Sequence, residues 1–309
     1  MAEASSPTSP VPPTRSLARD LFELTKPGIT ALICLVAVGG FLLAAPGSID
    51  LARLGLLVGC GALASAGAAM LNHYLDRDLD ARMRRTRRRP LPDARISPGG
   101  LVAALGVAFL GGGIALATRF LNPLTGFSIF LGGVTYVVVY TVWLKRRSSW
   151  NIVVGGFAGS APALAGSAAA VGAWTPGVLA FAVLVFLWTP PHFWSLALLL
   201  KDDYSRAGLP MLPRMDDAAY SGRVVVVSAA LLVPAALLIG ATGAIAWPVL
   251  FALVALGLAF VGVTLPLWTG ASRPVARRGF IYSGPYLLAV VLAIVLNAFL
   301  VRGGIPTGL

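Results

Sequence analysis

Acids, histidine and cysteine are scarce in this 309-residue chain: 12 Asp and Glu together, two His and two Cys. Cys34 and Cys60 both sit in apolar runs, too few and too deep for a disulfide framework or a thiolate metal centre. Core packing is their expected role. Charged residues make up only 12% of the chain against 57% hydrophobic residues, which excludes an ordinary soluble domain. The two halves show no internal repeat of the kind many secondary transporters carry. Residues 1–20 are rich in Ser, Pro and Thr and have no apolar core of a signal peptide; Glu3 and Asp20 speak against a mitochondrial transit peptide. The expectation is a disordered tail over 1–20, followed by one helical domain over 21–309.

What the chain does have is long apolar runs. Nine are long enough to cross a bilayer, at roughly 28–46, 52–75, 99–118, 124–143, 151–171, 174–199, 222–241, 246–268 and 280–300. With the N-terminus inside, the inside segments hold Arg15, Arg19 and Lys26, then Arg77 through Arg95. They also hold Lys145 to Arg147; Lys201, Arg206, Arg214 and Arg223; and Arg273, Arg277 and Arg278. Only Arg53, Arg119 and Arg302 fall outside, the bias of the positive-inside rule. The formal net charge of +12 therefore reports topology, and a nucleic-acid partner is not expected. The fold class read from these features is all-α, a polytopic membrane protein of nine transmembrane helices. A bacterial cytoplasmic (inner) membrane is the simplest location, with lipid as the surrounding partner. The longest inside loops, 76–98 and 200–221, place function at the cytoplasmic face.

The most informative stretch is Asn72-His73-Tyr74-Leu75-Asp76-Arg77-Asp78-Leu79-Asp80, followed by six arginines from Arg82 to Arg89. Asn72, Asp76 and Asp80 recur every four residues, so on a helix they drift only about 40° per step and share one face. An amide and two carboxylates beside a cationic loop suit Mg²⁺ and a polyanion together, since Mg²⁺ completes its shell with waters and substrate phosphates. A hydrophilic topogenic loop would explain the arginines but not two acids at a membrane boundary.

Two further clusters lie at the same face. Pro190-Pro191-His192-Phe193-Trp194 precedes Lys201-Asp202-Asp203-Tyr204. Paired prolines are expected to bend or break the helix. If helix persists beyond them, His192 and Asp203, eleven residues apart, share a face to within about 20°. Lys201 abuts the acidic pair and is the stronger candidate for phosphate. Tyr140, Lys145, Arg146, Arg147 and Asn151 form the third cluster, where Lys and Arg suit either phosphate oxygens or topology alone. His73 and His192, each beside an acid cluster, suit a metal, an acidic group or plain hydrogen bonding. Phe186, Trp188, Phe193 and Trp194 suit core packing, or cation–π stabilisation of a carbocation.

These strings resemble the intramembrane prenyltransferases of the UbiA superfamily. Its first signature, Asn-x-x-x-Asp-x-x-x-Asp, is matched by Asn72, Asp76 and Asp80. Longer strings are similar to the heme-farnesylating branch: Arg85 to Pro92, Pro190 to Trp194, Asp202-Asp203-Tyr204, Ala207 to Pro213, Leu144 to Arg147 and Thr25-Lys26-Pro27. Many superfamily members carry a second Asp-x-x-x-Asp run; here that run is missing, and Asp202 and Asp203 stand side by side instead. That leaves the second metal-ligand set open. The resemblance implies a UbiA-type bundle and farnesyl transfer from farnesyl diphosphate to a vinyl group of heme b, with hydration, giving heme O and diphosphate. It implies Mg²⁺ held by Asp76, Asp80 and one of Asp202 or Asp203, with Asn72 orienting a carboxylate or water. Lys201, Lys145, Arg146 and the loop arginines, Arg87 and Arg88 among them, would take phosphate oxygens. Tyr140, Asn151, Trp194 and Tyr204 would complete the substrate site, and His73 or His192 would meet the porphyrin edge or iron. A heme A synthase or terminal oxidase assembly would be a natural partner. The competing readings are a UbiA-type enzyme of aromatic acids or quinone precursors, and a secondary transporter.

Overall fold

The computed structural model describes residues 16–45, 47–211, 217–270 and 272–302. The expected tail up to residue 15, Arg15 and Arg214 of the charge pattern, and Leu212 and Pro213 of the second loop lie outside them. In chain order the elements are α1 (Leu17–Leu24), α2 (Pro27–Ala44), α3 (Leu51–Leu75), α4 (Arg77–Arg82), α5 (Gly100–Phe120) and α6 (Pro123–Val134). A π-helical segment, Thr135–Leu144, continues α6; then come α7 (Asn151–Gly155), α8 (Phe157–Val171), α9 (Pro176–Leu199) and α10 (Lys201–Ala207). The chain closes with α11 (Ala218–Ala230), α12 (Leu232–Ala241), α13 (Trp247–Thr264), which tightens into a 3₁₀ turn, Leu265–Thr269, and α14 (Arg273–Arg302). Among the described residues, nine helical stretches are long and apolar enough to cross a membrane. They follow the expected spans within a few residues, except that the last begins at Arg273 rather than near 280. Arginines are good helix formers, so α14 extends past the apolar run through Arg277 and Arg278.

Local chemistry explains where the helices begin. Pro27, Pro123 and Pro176 stand at first helical positions, where a missing N–H costs nothing. Asp50 caps α3 by accepting from Arg53 N at 3.0 Å, and Asn122 caps α6 from Thr125 N at 2.8 Å. Two expectations fail. The tail was expected to reach residue 20, yet Ser16 caps α1 and Asp20 is buried against Arg95, with Nε at 3.0 Å. Leu21 and Leu24 of the same helix pack with Met70, Ile96 and Val102, a helical spacing that lays one face of α1 on residues distant in the chain and orders it. The paired prolines do not break α9, which runs unbroken through Pro190 and Pro191; the turn comes at Leu200.

Small residues let the helices touch. A Cβ on Gly106 would meet Leu71 Cγ at 2.8 Å, and one on Gly113 would meet Cys60 O at 2.6 Å, so α5 lies directly on α3. Gly40 and Gly166 do the same between α2 and α8. The main core joins Phe181, Leu232, Phe260, Tyr286 and Val290 from α9, α12, α13 and α14. A second cluster, with Leu79, Met83, Ile152, Trp194, Tyr204, Leu209 and Met211, anchors both long loops over the ends of the bundle. It is this second cluster that brings the two loops together.

Candidate active site

The Asn72 helix ends at Leu75, but its register does not. Asp76 N donates to Asn72 O at 2.9 Å and Asp80 N to Asp76 O at 2.8 Å. All three side chains are buried and line one cavity of about 720 Å³. Each carboxylate meets a cation: Lys145 Nζ lies 2.5 Å from Asp76 Oδ2, and Arg89 Nη1 lies 2.8 Å from Asp80 Oδ2. Lys26 Nζ donates to Asn72 Oδ1 at 2.6 Å and to the Tyr136 hydroxyl at 3.0 Å. Asn72 Nδ2 in turn donates to Asp76 Oδ2 at 2.7 Å and Thr141 Oγ1 at 3.1 Å. Asp76 Oδ1 is buried and has no partner.

The backbone around these groups is unusual. Lys26 is left-handed, with φ 49° and ψ 60°, a conformation costing a non-glycine residue about 1–2 kcal/mol. Its side chain thereby points into the site from the start of α2. Burial, with the Arg89 charge adding to it, lowers its pKa to about 8, against the opposing pull of Asp76 and Asp80. The π-helical segment places Lys145 N on Tyr140 O at 2.8 Å, one residue wider than an α-turn. Tyr136 and Tyr140 stack there with centroids 6.0 Å apart, and both line the cavity beside Lys145.

The cavity thus has two characters. Its head carries Lys26, Arg85, Arg89 and Lys145 with Asn72, Asp76 and Asp80; its body is apolar, lined by Ile33, Leu57, Ala64, Ile129, Val185 and Leu287. Trp188, His192 and Phe280 form a wall of aromatic rings. His73 lines the cavity with both ring nitrogens buried and unpartnered. Two carboxylates, one with a free buried oxygen, beside lysine and arginine donors suited to phosphate, are the donor set Mg²⁺ takes when substrate oxygens and water complete its shell.

Other expected residues lie elsewhere. Because α9 stops at Leu199 and Leu200 turns the chain (φ −102°, ψ 21°), His192 and Asp203 do not share a helix face. Asp202 sits on the surface, its side chain 65% exposed and paired with Arg273 at 2.7 Å. Asp203 is buried, accepts from Arg85 N at 3.4 Å and pairs with Arg206. Lys201 is exposed, and only Tyr204 of that cluster lines the cavity. Among the described residues no three His, Cys, Asp or Glu side chains converge as a metal site, so Asp202 and Asp203 do not join Asp76 and Asp80. Arg87 and Arg88, singled out among the loop arginines, do not line the cavity, while Arg85 and Arg89 of the same run do. Their four-residue spacing is the signal that was present. Arg146 grips Asp78 at 2.7 and 2.8 Å outside the cavity, and its hydrogen bonds hold that carboxyl below its usual range. Asn151 is buried and bonds Ser148 O at 2.7 Å and Pro210 O at 3.1 Å, pinning the second loop. Trp194 packs in the loop-anchoring cluster.

A UbiA prenyltransferase family model matches residues 32–284. The chain belongs to the UbiA prenyltransferase family. It is 40% identical over 282 residues to a protoheme IX farnesyltransferase of Sulfurisphaera tokodaii, covering 90% of this chain and 92% of that one. A protoheme IX farnesyltransferase 1 of Paramagnetospirillum magneticum is 41% identical over 276 residues, covering 89% and 97%. A solved UbiA homolog from Archaeoglobus fulgidus, bound to GPP and Mg²⁺, shares the fold with a TM-score of 0.69 at 17% identity, covering 89% of this chain and 99% of that one. As a UbiA prenyltransferase, the protein is an integral membrane enzyme, and nine helical stretches among its described residues are long and apolar enough to cross the membrane.

Proposed function

We propose that this prenyltransferase transfers the farnesyl group of farnesyl diphosphate to a vinyl group of heme b, yielding heme O. The observation that carries the reading is a single cavity joining a carboxylate-and-cation head to an apolar body with an aromatic wall. The name borne by the relatives at about 40% identity supports heme as acceptor.

Asp76 and Asp80 would hold Mg²⁺, with the Asn72 amide fixing the orientation of Asp76. The fit of this donor set, and the Mg²⁺ and GPP in the Archaeoglobus structure, support that assignment. Bound there, Mg²⁺ supplies charge stabilisation for the departing diphosphate. Lys26, Arg85, Arg89 and Lys145 bind the remaining phosphate oxygens as hydrogen-bonded cations. The lysine and arginine that now neutralise Asp76 and Asp80 can turn to phosphate once the carboxylates have a metal partner. The apolar body keeps water from the allylic carbon while its C–O bond breaks. Trp188 and Phe280 offer ring faces to the developing cation. The electron-rich vinyl group forms the new C–C bond; water adds to the carbocation left on heme, and its proton leaves with diphosphate or solvent. No strong side-chain base is required. Asp203 and Tyr204 act from the second loop, Asp203 by holding the Arg85 segment. On this reading the loops face the cytoplasm, which the charge bias supports.

The test is a mass spectrum of the heme pool after purified protein meets heme b, farnesyl diphosphate and Mg²⁺. Heme heavier by one farnesyl group plus a hydroxyl group, absent with EDTA, is expected. Unchanged heme with folded protein would overturn the acceptor and direct the search to aromatic acids and quinone precursors.

A further inference from the structure

His192 on the cavity wall is held by ring contacts and a hydrogen bond together. Its ring stacks on Trp188, centroids 4.5 Å apart and planes 18° apart, with Phe280 at 5.1 Å on α14. Its Nδ1 lies 2.6 Å from Ser283 Oγ, and Ser283 Oγ donates to Phe280 O at 2.6 Å. A serine hydroxyl has one proton. With that proton on the Phe280 carbonyl, Ser283 offers His192 only lone pairs, and Nδ1 carries the N–H. The Nε2 of a neutral ring is then a bare lone pair. Trp188 Nε1 also donates to Ser283 O at 2.8 Å, so the anchor is tied to α9 from both sides.

A ring nitrogen of this kind cannot donate to a propionate or a phosphate. It can bind a Lewis acid or accept from a hydroxyl. Histidines that bind metals nearly always give their other ring N–H to a fixed acceptor, as His192 does. His73, the other histidine, has no anchor on either nitrogen. Given heme as the acceptor, which rests on the function proposed above, we infer that His192 Nε2 is the axial ligand of the heme iron. Ligation there holds the macrocycle between α9 and α14, in the same cavity whose head binds the diphosphate. His192 is thus a substrate-binding residue that fixes where the porphyrin sits.

The experiment uses the full-length protein without a histidine tag, in nanodiscs, titrated with ferric heme b. Optical and electron paramagnetic resonance spectra report the ligand, and ferrous resonance Raman spectra are taken with ordinary and ¹⁵N-labelled histidine. Expected are a histidine-type spectrum and an isotope shift of the iron–nitrogen stretch, both retained in His73→Ala and lost in His192→Ala. Added imidazole should restore the spectrum to His192→Ala. Ser283→Ala should weaken heme affinity about tenfold by freeing the ring. Should His192→Ala fail to fold, the isotope shift in wild type and in His73→Ala decides, since the chain has only two histidines. Heme bound with identical spectra in wild type and His192→Ala, or with no isotope shift, overturns the ligand and leaves the proposed function standing. A wild-type protein that binds farnesyl diphosphate but no heme overturns the acceptor itself, and the ligand with it.

Discussion

Two acidic clusters end two membrane helices near the same loops, yet they are built for different work. Asp76 and Asp80 are buried, Asp76 salt-bridged to the distant Lys145 and Asp80 to Arg89 of its own loop, and both line the cavity. Asp202 is paired with Arg273 in solvent, and Asp203 faces the loop backbone rather than the cavity. Buried charges are tolerated only when paired, and removing one partner strands the other. Exposed pairs contribute little. The difference teaches that acid content near a membrane boundary does not identify a metal site; burial and convergence do.

The comparison can be broken most directly at its strong end. Asp76→Asn or Asp80→Asn should lower farnesyl transfer by at least about 10³-fold while far-ultraviolet circular dichroism still shows a helical protein. Near-normal turnover in both would remove the metal assignment. Next come the cations: Lys145→Met should cost about 10²-fold in kcat/KM, with the larger share in diphosphate affinity.

Lys26 adds a pH signature. The charged form binds phosphate, and its pKa is lowered to about 8, chiefly by burial. Affinity for inorganic diphosphate should therefore hold below pH 8 and fall above it, by up to about tenfold per pH unit. Lys26→Arg should carry the plateau beyond pH 10, because arginine stays charged. A wild-type affinity flat from pH 7 to 10 would show that Lys26 does not meet the diphosphate.

At the weak end, Asp203→Asn should reduce turnover about tenfold by loosening the Arg85 segment, roughly the cost of one charged hydrogen bond. Asp202→Asn should stay within about twofold, as for an exposed pair. If Asp202→Asn instead matched Asp76→Asn, the second loop would have to close over the cavity during turnover, and the two clusters would be one site after all.

Residues whose neighbours are close in sequence were legible beforehand. Asn72, Asp76 and Asp80 kept their four-residue register even where α3 gives way to α4, because backbone hydrogen bonds carry the helical turn across the break. The break expected at Pro190 and Pro191 did not occur, and α9 carries His192 unbroken to Leu199. Lys26 was harder to see: its contacts with Asn72 and Tyr136 lie 46 and 110 residues away. Arg87 and Arg88 were chosen where Arg85 and Arg89 face the cavity, since a cationic run does not reveal which face a folded loop turns inward.

By itself the sequence determined the membrane architecture, the side on which the charged loops gather and the spacing of the first acid cluster. Each follows from local physics: the length an apolar helix needs to cross a bilayer, the charge bias of its flanks and the 3.6-residue turn. Only the tertiary structure decided which cations meet which carboxylates, that Asp202 stays in solvent and that Ser283 of α14 meets the His192 ring. Those outcomes depend on helices far apart in sequence packing side by side, where burial decides which charges must find a partner.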